Sequence, residues 1–200
     1  MIVMGEKPTY FDTRSEFWKK YWDRAKDFDA FLGCASPEHA ARWRDALQRT
    51  HELGDEDVAR LQGYNRELNV LAYGGTWCMD CARTGPILKK IVDVAGARVR
   101  LRFIEREASV ELQDELRILG GLRTPVVVFF SEDWWEVDRY GDRTLSVYRS
   151  RAAREIGRGV DTGLMTPEAL QSQTREWVDV FERVLLMLRL APYLRKKYND

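Results

Sequence analysis

Two thiols stand three residues apart in Thr76-Trp77-Cys78-Met79-Asp80-Cys81. Upstream, Asn69-Val70-Leu71-Ala72-Tyr73 is a short apolar run suited to a buried strand, and Gly74-Gly75 ends it. Cys78 therefore falls near the first turn of a helix. Unpaired backbone N–H groups and the positive end of the helix dipole favour a thiolate there, and the thiolate is the nucleophile of disulfide exchange. Cys81, one turn deeper, is spaced to attack a mixed disulfide formed by Cys78. The same spacing also serves zinc, so the pair alone leaves two chemistries open. Cys34 is distant, and His39 and His51 form no second ligand pair at metal spacing, which favours redox chemistry.

Two prolines add to the pattern. Pro86, in Cys81-Ala82-Arg83-Thr84-Gly85-Pro86-Ile87-Leu88, lies inside an otherwise helical stretch, where it forces a kink. Arg123-Thr124-Pro125 precedes Val126-Val127-Val128-Phe129-Phe130, which has the composition of a central strand. A proline at the start of such a strand is where a cis peptide can bring a loop against the thiols.

On these residues the chain resembles the thioredoxin superfamily. The redox pair corresponds to Cys78 and Cys81 after Trp77, the helix-kinking proline to Pro86 and the cis-proline to Pro125. The resemblance covers residues 66 to 141 well and the last helix loosely, and leaves roughly the first 60 residues without a counterpart. It implies an α/β, thioredoxin-like fold, a central mixed sheet flanked by helices, here with extra N-terminal helices. It also implies a thiol-disulfide oxidoreductase without a cofactor or metal. Cys78 would attack a disulfide-containing protein or a low-molecular-weight thiol substrate, and Cys81 would resolve the adduct. Trp77 would shield the pair, and the backbone at Thr124 and Pro125 would hold the substrate chain. A reductase or small thiol would be the electron donor.

Two positions depart from the family pattern. Met79-Asp80 stands where thioredoxins proper carry Gly-Pro, and a carboxylate there opposes thiolate formation. Ala72 occupies the place of the family's buried acid, which leaves Asp80 and Glu105 as candidate proton acceptors for Cys81. These departures and the long N-terminal addition keep a second reading open, a binding or scaffold protein whose helical extension engages a partner.

The elements that must position these residues follow from pattern. Phe17, Trp18, Tyr21, Trp22, Ala25 and Phe28 recur at three- and four-residue steps and predict one helix over Thr13 to Ala30. Ser36-Pro37 starts a helix that ends at Gly54, and Asp55 caps the next. Val99, Leu101 and Phe103 alternate with Arg98, Arg100 and Arg102, a strand with one polar side. Ser109 caps a short helix ending near Gly120-Gly121. Ser131-Glu132-Asp133 is a turn before a last strand through Trp135 and Val137 to Gly141, and Thr166-Pro167 opens the final helix. Arg143, Arg149, Arg151, Arg154 and Arg158 make a basic stretch, a solvated face or a guide for an anionic substrate such as glutathione.

Composition bounds the rest. Two hundred residues, 44% of them hydrophobic, suit one elaborated body: an extension over 1–65 packed on a thioredoxin-like domain over 66–200. Lys and Arg number 32 and so do Asp and Glu, which gives no bias toward nucleic acid or an acidic membrane surface. Met1 to Pro8 lacks the pattern of a secretory leader, and no run approaches membrane-spanning length. Cytoplasmic localisation is the default, and in a reducing compartment a close thiol pair is catalytic or metal-bound rather than a structural staple.

Overall fold

The computed structural model describes residues 10–199, so the leader reading at Met1 to Pro8 lies outside the described residues. Helices α1 (Ser15–Arg24), α2 (Phe28–Gly33), α3 (Pro37–Arg49) and α4 (Asp55–Leu61) precede strand β1 (Leu68–Gly74). Then come α5 (Met79–Ala95), β2 (Val99–Glu105), α6 (Val110–Glu115), β3 (Val126–Phe130) and β4 (Glu136–Gly141), followed by α7 (Leu145–Ile156), α8 (Pro167–Leu190) and α9 (Pro192–Tyr198). The sheet runs β2-β1-β3-β4, with β1 parallel to β2 and antiparallel to β3, and β3 antiparallel to β4.

Every residue of β1 is buried because the sheet is covered on both faces. Leu68, Val70 and Ala72 point into a core with Phe28, Phe31, Trp43 and the apolar sides of α5 and α8. Leu71 and Tyr73, on the alternate face, join Trp18, Tyr21, Trp22 and Leu112 from α1 and α6. The central position of β1 brings its end, and the thiols that follow, to the middle of the sheet edge.

The N-terminal aromatic stripe is not one helix. It breaks at Lys26, whose backbone exchanges hydrogen bonds with Phe103 of β2 at 2.9 and 2.7 Å, and Asp27 then caps α2 by accepting from the Ala30 N–H at 2.8 Å. The chain crosses the edge of β2 there, so α1 packs on one face of the sheet and α2 on the other. The same crossing covers the expected polar side of β2: Ile104 is buried beside α1, and the Arg102 guanidinium lies 5.0 Å from the Trp22 ring.

Ser36 caps α3 with Pro37 in its first turn as the sequence predicts, but the helix ends at Arg49 rather than Gly54. Thr50 there turns extended, with its hydroxyl on the Ala46 carbonyl at 2.8 Å. Gly54 rather than Asp55 caps α4, and Asp55, Glu56 and Asp57 fill the first turn, where the helix dipole favours them. Ser109 caps α6, which stops at Glu115, short of Gly120; Ile118 and Gly121 instead pair across a tight turn with Leu119 and Gly120 left-handed. The basic stretch after β4 folds largely as α7, with Arg149, Arg151 and Arg154 inside it. Among the described residues no helix is long and apolar enough to cross a membrane.

Candidate active site

Cys78 is the N-cap of α5, and its Sγ accepts the Cys81 backbone N–H at 3.2 Å. From the opposite side Thr124, whose bond to Pro125 is cis, donates its hydroxyl to the same sulfur at 3.3 Å. The contact from the Cys78 thiol to the Thr124 carbonyl, at 3.9 Å, is weaker. Hydrogen bonding from the Cys81 thiol, then from the Thr124 hydroxyl and the Cys81 N–H, outweighs burial and the Asp80 charge and lowers Cys78 to about 6. Cys81 moves the opposite way, raised well above its ordinary value by burial first and by its neighbour Cys78 second. With Cys78 8% and Cys81 3% exposed, one sulfur lies nearer the surface and ionises readily while the other is deeper and holds its proton. The two thiols are unbridged.

The backbone gives way where these sulfurs need space. A Cβ on Gly74 would stand 2.5 Å from Cys81 Sγ, so the end of β1 can pack on the sulfur only as glycine. One turn beyond Cys81, a Cβ on Gly85 would lie 2.1 Å from the Trp43 ring. Trp43, from α3, donates its indole N–H to the Thr76 carbonyl at 3.0 Å. The N-terminal extension thus pins the loop carrying Trp77 and Cys78 from the core side. Nothing local in the sequence pairs Trp43 with Thr76, 33 residues away.

Neither candidate proton acceptor hydrogen-bonds to Cys81 among the described residues. Glu105, at the end of β2, is raised by burial first and by Glu107, with the Thr76 N–H pulling the other way. Ala72 instead lines a cavity of about 10 Å³ with Phe31, Trp43, Cys81, Leu88 and Phe103. Its apolar walls offer a water few of the partners it needs.

Asp80 is ion-paired through both of its oxygens. It pairs with Arg83, one turn along α5, and with Arg143 at 2.6 Å. Arg143 also pairs with Asp142 at 2.6 Å, and Asp142 in turn with Arg123 at 3.2 Å and the Tyr148 hydroxyl. The i,i+3 spacing of Asp80 and Arg83 was a visible signal of that pair. Asp142 and Arg123 gave none.

Trp77 is 39% exposed beside Cys78, with the Arg106 guanidinium 4.5 Å from its ring centre. Thr124 and Pro125 face the thiols from the β3 side, so Cys78, Cys81, Thr124 and Pro125 come together, with Trp77 at the rim. Cys34 stands apart, its Sγ 2.8 Å from Lys26 Nζ. Among the described residues no group of three or more His, Cys, Asp and Glu could hold a metal ion.

A mixed four-stranded sheet with a Cys-x-x-Cys at a helix N-terminus and a cis-proline facing it defines a thioredoxin-like protein. The family model described as thioredoxin matches residues 25–152, and the chain belongs to the thioredoxin superfamily. The match starts at Ala25 and takes in α2, α3 and α4, well upstream of the residues that carried the resemblance. A crystal structure of a protein of unknown function from Pseudomonas aeruginosa superposes with a TM-score of 0.59 at 22% identity, over 86% of this chain and 97% of that one. An HIV epitope-scaffold structure gives 0.60 at 22% identity, over 86% of this chain and 98% of that one. Both likenesses are of fold. No curated protein sequence matches the chain.

Proposed function

We propose that the protein is a thiol-disulfide oxidoreductase with Cys78 as nucleophile and Cys81 as resolving thiol. The observation that carries this reading is the asymmetry of the pair: Cys78 at a helix N-terminus, receiving hydrogen bonds from Cys81 and Thr124, against a deeper Cys81. The Cys78 thiolate attacks one sulfur of a substrate disulfide; that S–S bond breaks, and the departing thiolate takes a proton from water. The mixed disulfide removes the negative charge beside Cys81, one of the causes that hold its proton. Cys81 then ionises more readily, with the Gly75 N–H and the Thr124 hydroxyl to stabilise it. Cys81 attacks the Cys78 sulfur, the bond from that sulfur to the substrate breaks, and the departing second substrate thiolate takes up the proton Cys81 gives up. Two electrons pass to the substrate, the chain keeps a Cys78–Cys81 disulfide, and a reductase or small thiol returns the electrons. Trp77, Thr124 and Pro125 line the approach and hold the substrate.

The scaffold reading draws on Met79-Asp80, Ala72 and the long N-terminal addition; the aromatic side chains Trp18, Tyr21, Trp22 and Phe28 of that addition are buried and give a partner no surface. In this proposal the described part of the extension, residues 10–65, instead supports the oxidoreductase domain, with Trp43 pinning the loop ahead of Cys78. A cytoplasmic setting, with neither membrane nor nucleic acid as partner, belongs to the same reading.

The test is capture. Cys81→Ser accumulates mixed disulfides through Cys78 that thiol reductants release, and Cys78→Ser accumulates none. A redox titration of the unaltered chain shows a two-electron transition at roughly −200 to −300 mV. Absence of adducts with Cys78 freely alkylated would sink the proposal.

A further inference from the structure

Asp80, between the two cysteines, opposes negative charge on Cys78. Each of its oxygens is engaged by a guanidinium from a different part of the chain. Oδ1 takes Arg83 of α5, and Oδ2 takes Arg143 of the segment between β4 and α7. Arg83 is itself held, with its Nε on Gln173 Oε1 at 3.0 Å and Gln173 donating to the Leu164 and Ala169 carbonyls. Arg143 is held by Asp142, which also engages Arg123 and Tyr148. The Asp80, Arg143 and Asp142 side chains are 17%, 18% and 3% exposed, so water and salt screen this chain of charges less than a surface pair.

The network also joins two walls of the site. Asp142 follows Gly141, which pairs with Val126 and lies so close to the Pro125 carbonyl that a Cβ on it would stand 2.6 Å away. Asp80 lies in the first turn of the helix that carries Cys81. Arg143 therefore bridges the cysteine helix and the strand next to the cis-proline.

We propose that Arg143 is a positioning residue for Cys78: it holds the Asp80 carboxylate against itself and Arg83, and so cancels the charge that would otherwise oppose the thiolate. The inference rests on the oxidoreductase reading and adds to it the device that lets an acid sit between the cysteines. Among the described residues, the charged and titratable groups on the Asp80–Arg143 pair are Arg83 from α5, Asp142 beyond β4 and Tyr148 from α7, with Arg123 before β3 on Asp142. On α8, Glu176 is occupied by the Leu145 and Ser146 N–H groups.

The experiment is the pH profile of Cys78 alkylation by iodoacetamide in the full-length reduced protein, resolved from Cys34 by peptide mass. Arg143→Gln raises the midpoint by about one pH unit, a roughly tenfold loss of thiolate well below it. Arg143→Lys keeps most of the effect, and Asp80→Asn combined with Arg143→Gln restores the midpoint to near that of the unaltered chain. An unchanged midpoint in Arg143→Gln, or a double variant as high as the single, overturns the proposal. Should Arg143→Gln not fold, Asp80→Asn alone decides, since it removes the negative charge beside Cys78, leaves Arg83 without its carboxylate and leaves Arg143 with Asp142 alone, and so must lower the midpoint. A midpoint that stays or rises refutes it. Alkylation needs no turnover, so this result stands apart from the capture of mixed disulfides: failure there with the shift present sinks the oxidoreductase reading and not the role of Arg143.

Discussion

Replacing Thr124 by valine removes the hydroxyl that bonds to Cys78, and that would stabilise an ionised Cys81, while nearly keeping the side chain's shape. The hydroxyl stands 3.3 Å from Cys78 Sγ and is among the groups that lower that thiol to about 6. A hydrogen bond to a charged group is worth about 1.5–3 kcal/mol, and one pH unit corresponds to about 1.4 kcal/mol, so the midpoint should rise by about one to two units. At pH 6 the thiolate population then falls about five- to fiftyfold. The higher-pKa thiolate is also the better nucleophile, with a Brønsted slope of about 0.4–0.5, so the net alkylation rate at pH 6 falls only about two- to eightfold. Above pH 9, where Cys78 is ionised in both proteins, the same slope makes the variant about 2.5- to tenfold faster. The two rate profiles must therefore cross. Stopped-time alkylation read at the Cys78 peptide measures this directly. Parallel profiles, or a variant slower at every pH, would mean that Thr124 acts through loop structure and not through its hydrogen bond.

Gly85→Ala forces a Cβ against the buried Trp43 ring and should cost about 1–3 kcal/mol in urea unfolding; a neutral effect would show that Trp43 can move. Trp43→Phe leaves the Thr76 carbonyl without its indole donor and should destabilise by about 1–3 kcal/mol or more, with faster backbone hydrogen exchange at residues 76–78. Gly74→Ala displaces Cys81 Sγ, so intramolecular disulfide formation should slow while Cys78 alkylation persists; equal effects on both would contradict that geometry. Cys78 titrates lower in the folded chain than its ordinary 9.0, so its contribution to stability is absent below about pH 6, grows from there to about pH 9 and is fully present above. The reduced protein should accordingly gain stability over Cys78→Ser across that window, and a difference that shrinks with rising pH would reverse the assignment.

The features legible in the sequence act over a few residues. Gly74-Gly75 before Cys78, Ser36 ahead of Pro37 and Thr166 ahead of Pro167 declare a strand end and two helix starts, because caps and prolines constrain only their own turn. Pro125 marked the second wall of the site in the same way. The stripe from Phe17 to Phe28 misled because helical periodicity is blind to which face of a sheet receives it. Lys26 joins the edge of β2 and sends α1 and α2 to opposite faces.

By itself, then, the sequence determined that two thiols stand at a helix N-terminus, opposite a proline-led strand, in a thioredoxin-like chain. Only the tertiary structure decided how those thiols differ and what surrounds them. Thr124 reaches Cys78, Trp43 holds the Thr76 carbonyl, and Arg143 takes the charge of Asp80, each across a separation in the chain that local pattern does not span. Hydrogen bonds and screened charges act over a few ångströms of space, and the fold alone sets which distant residues share them.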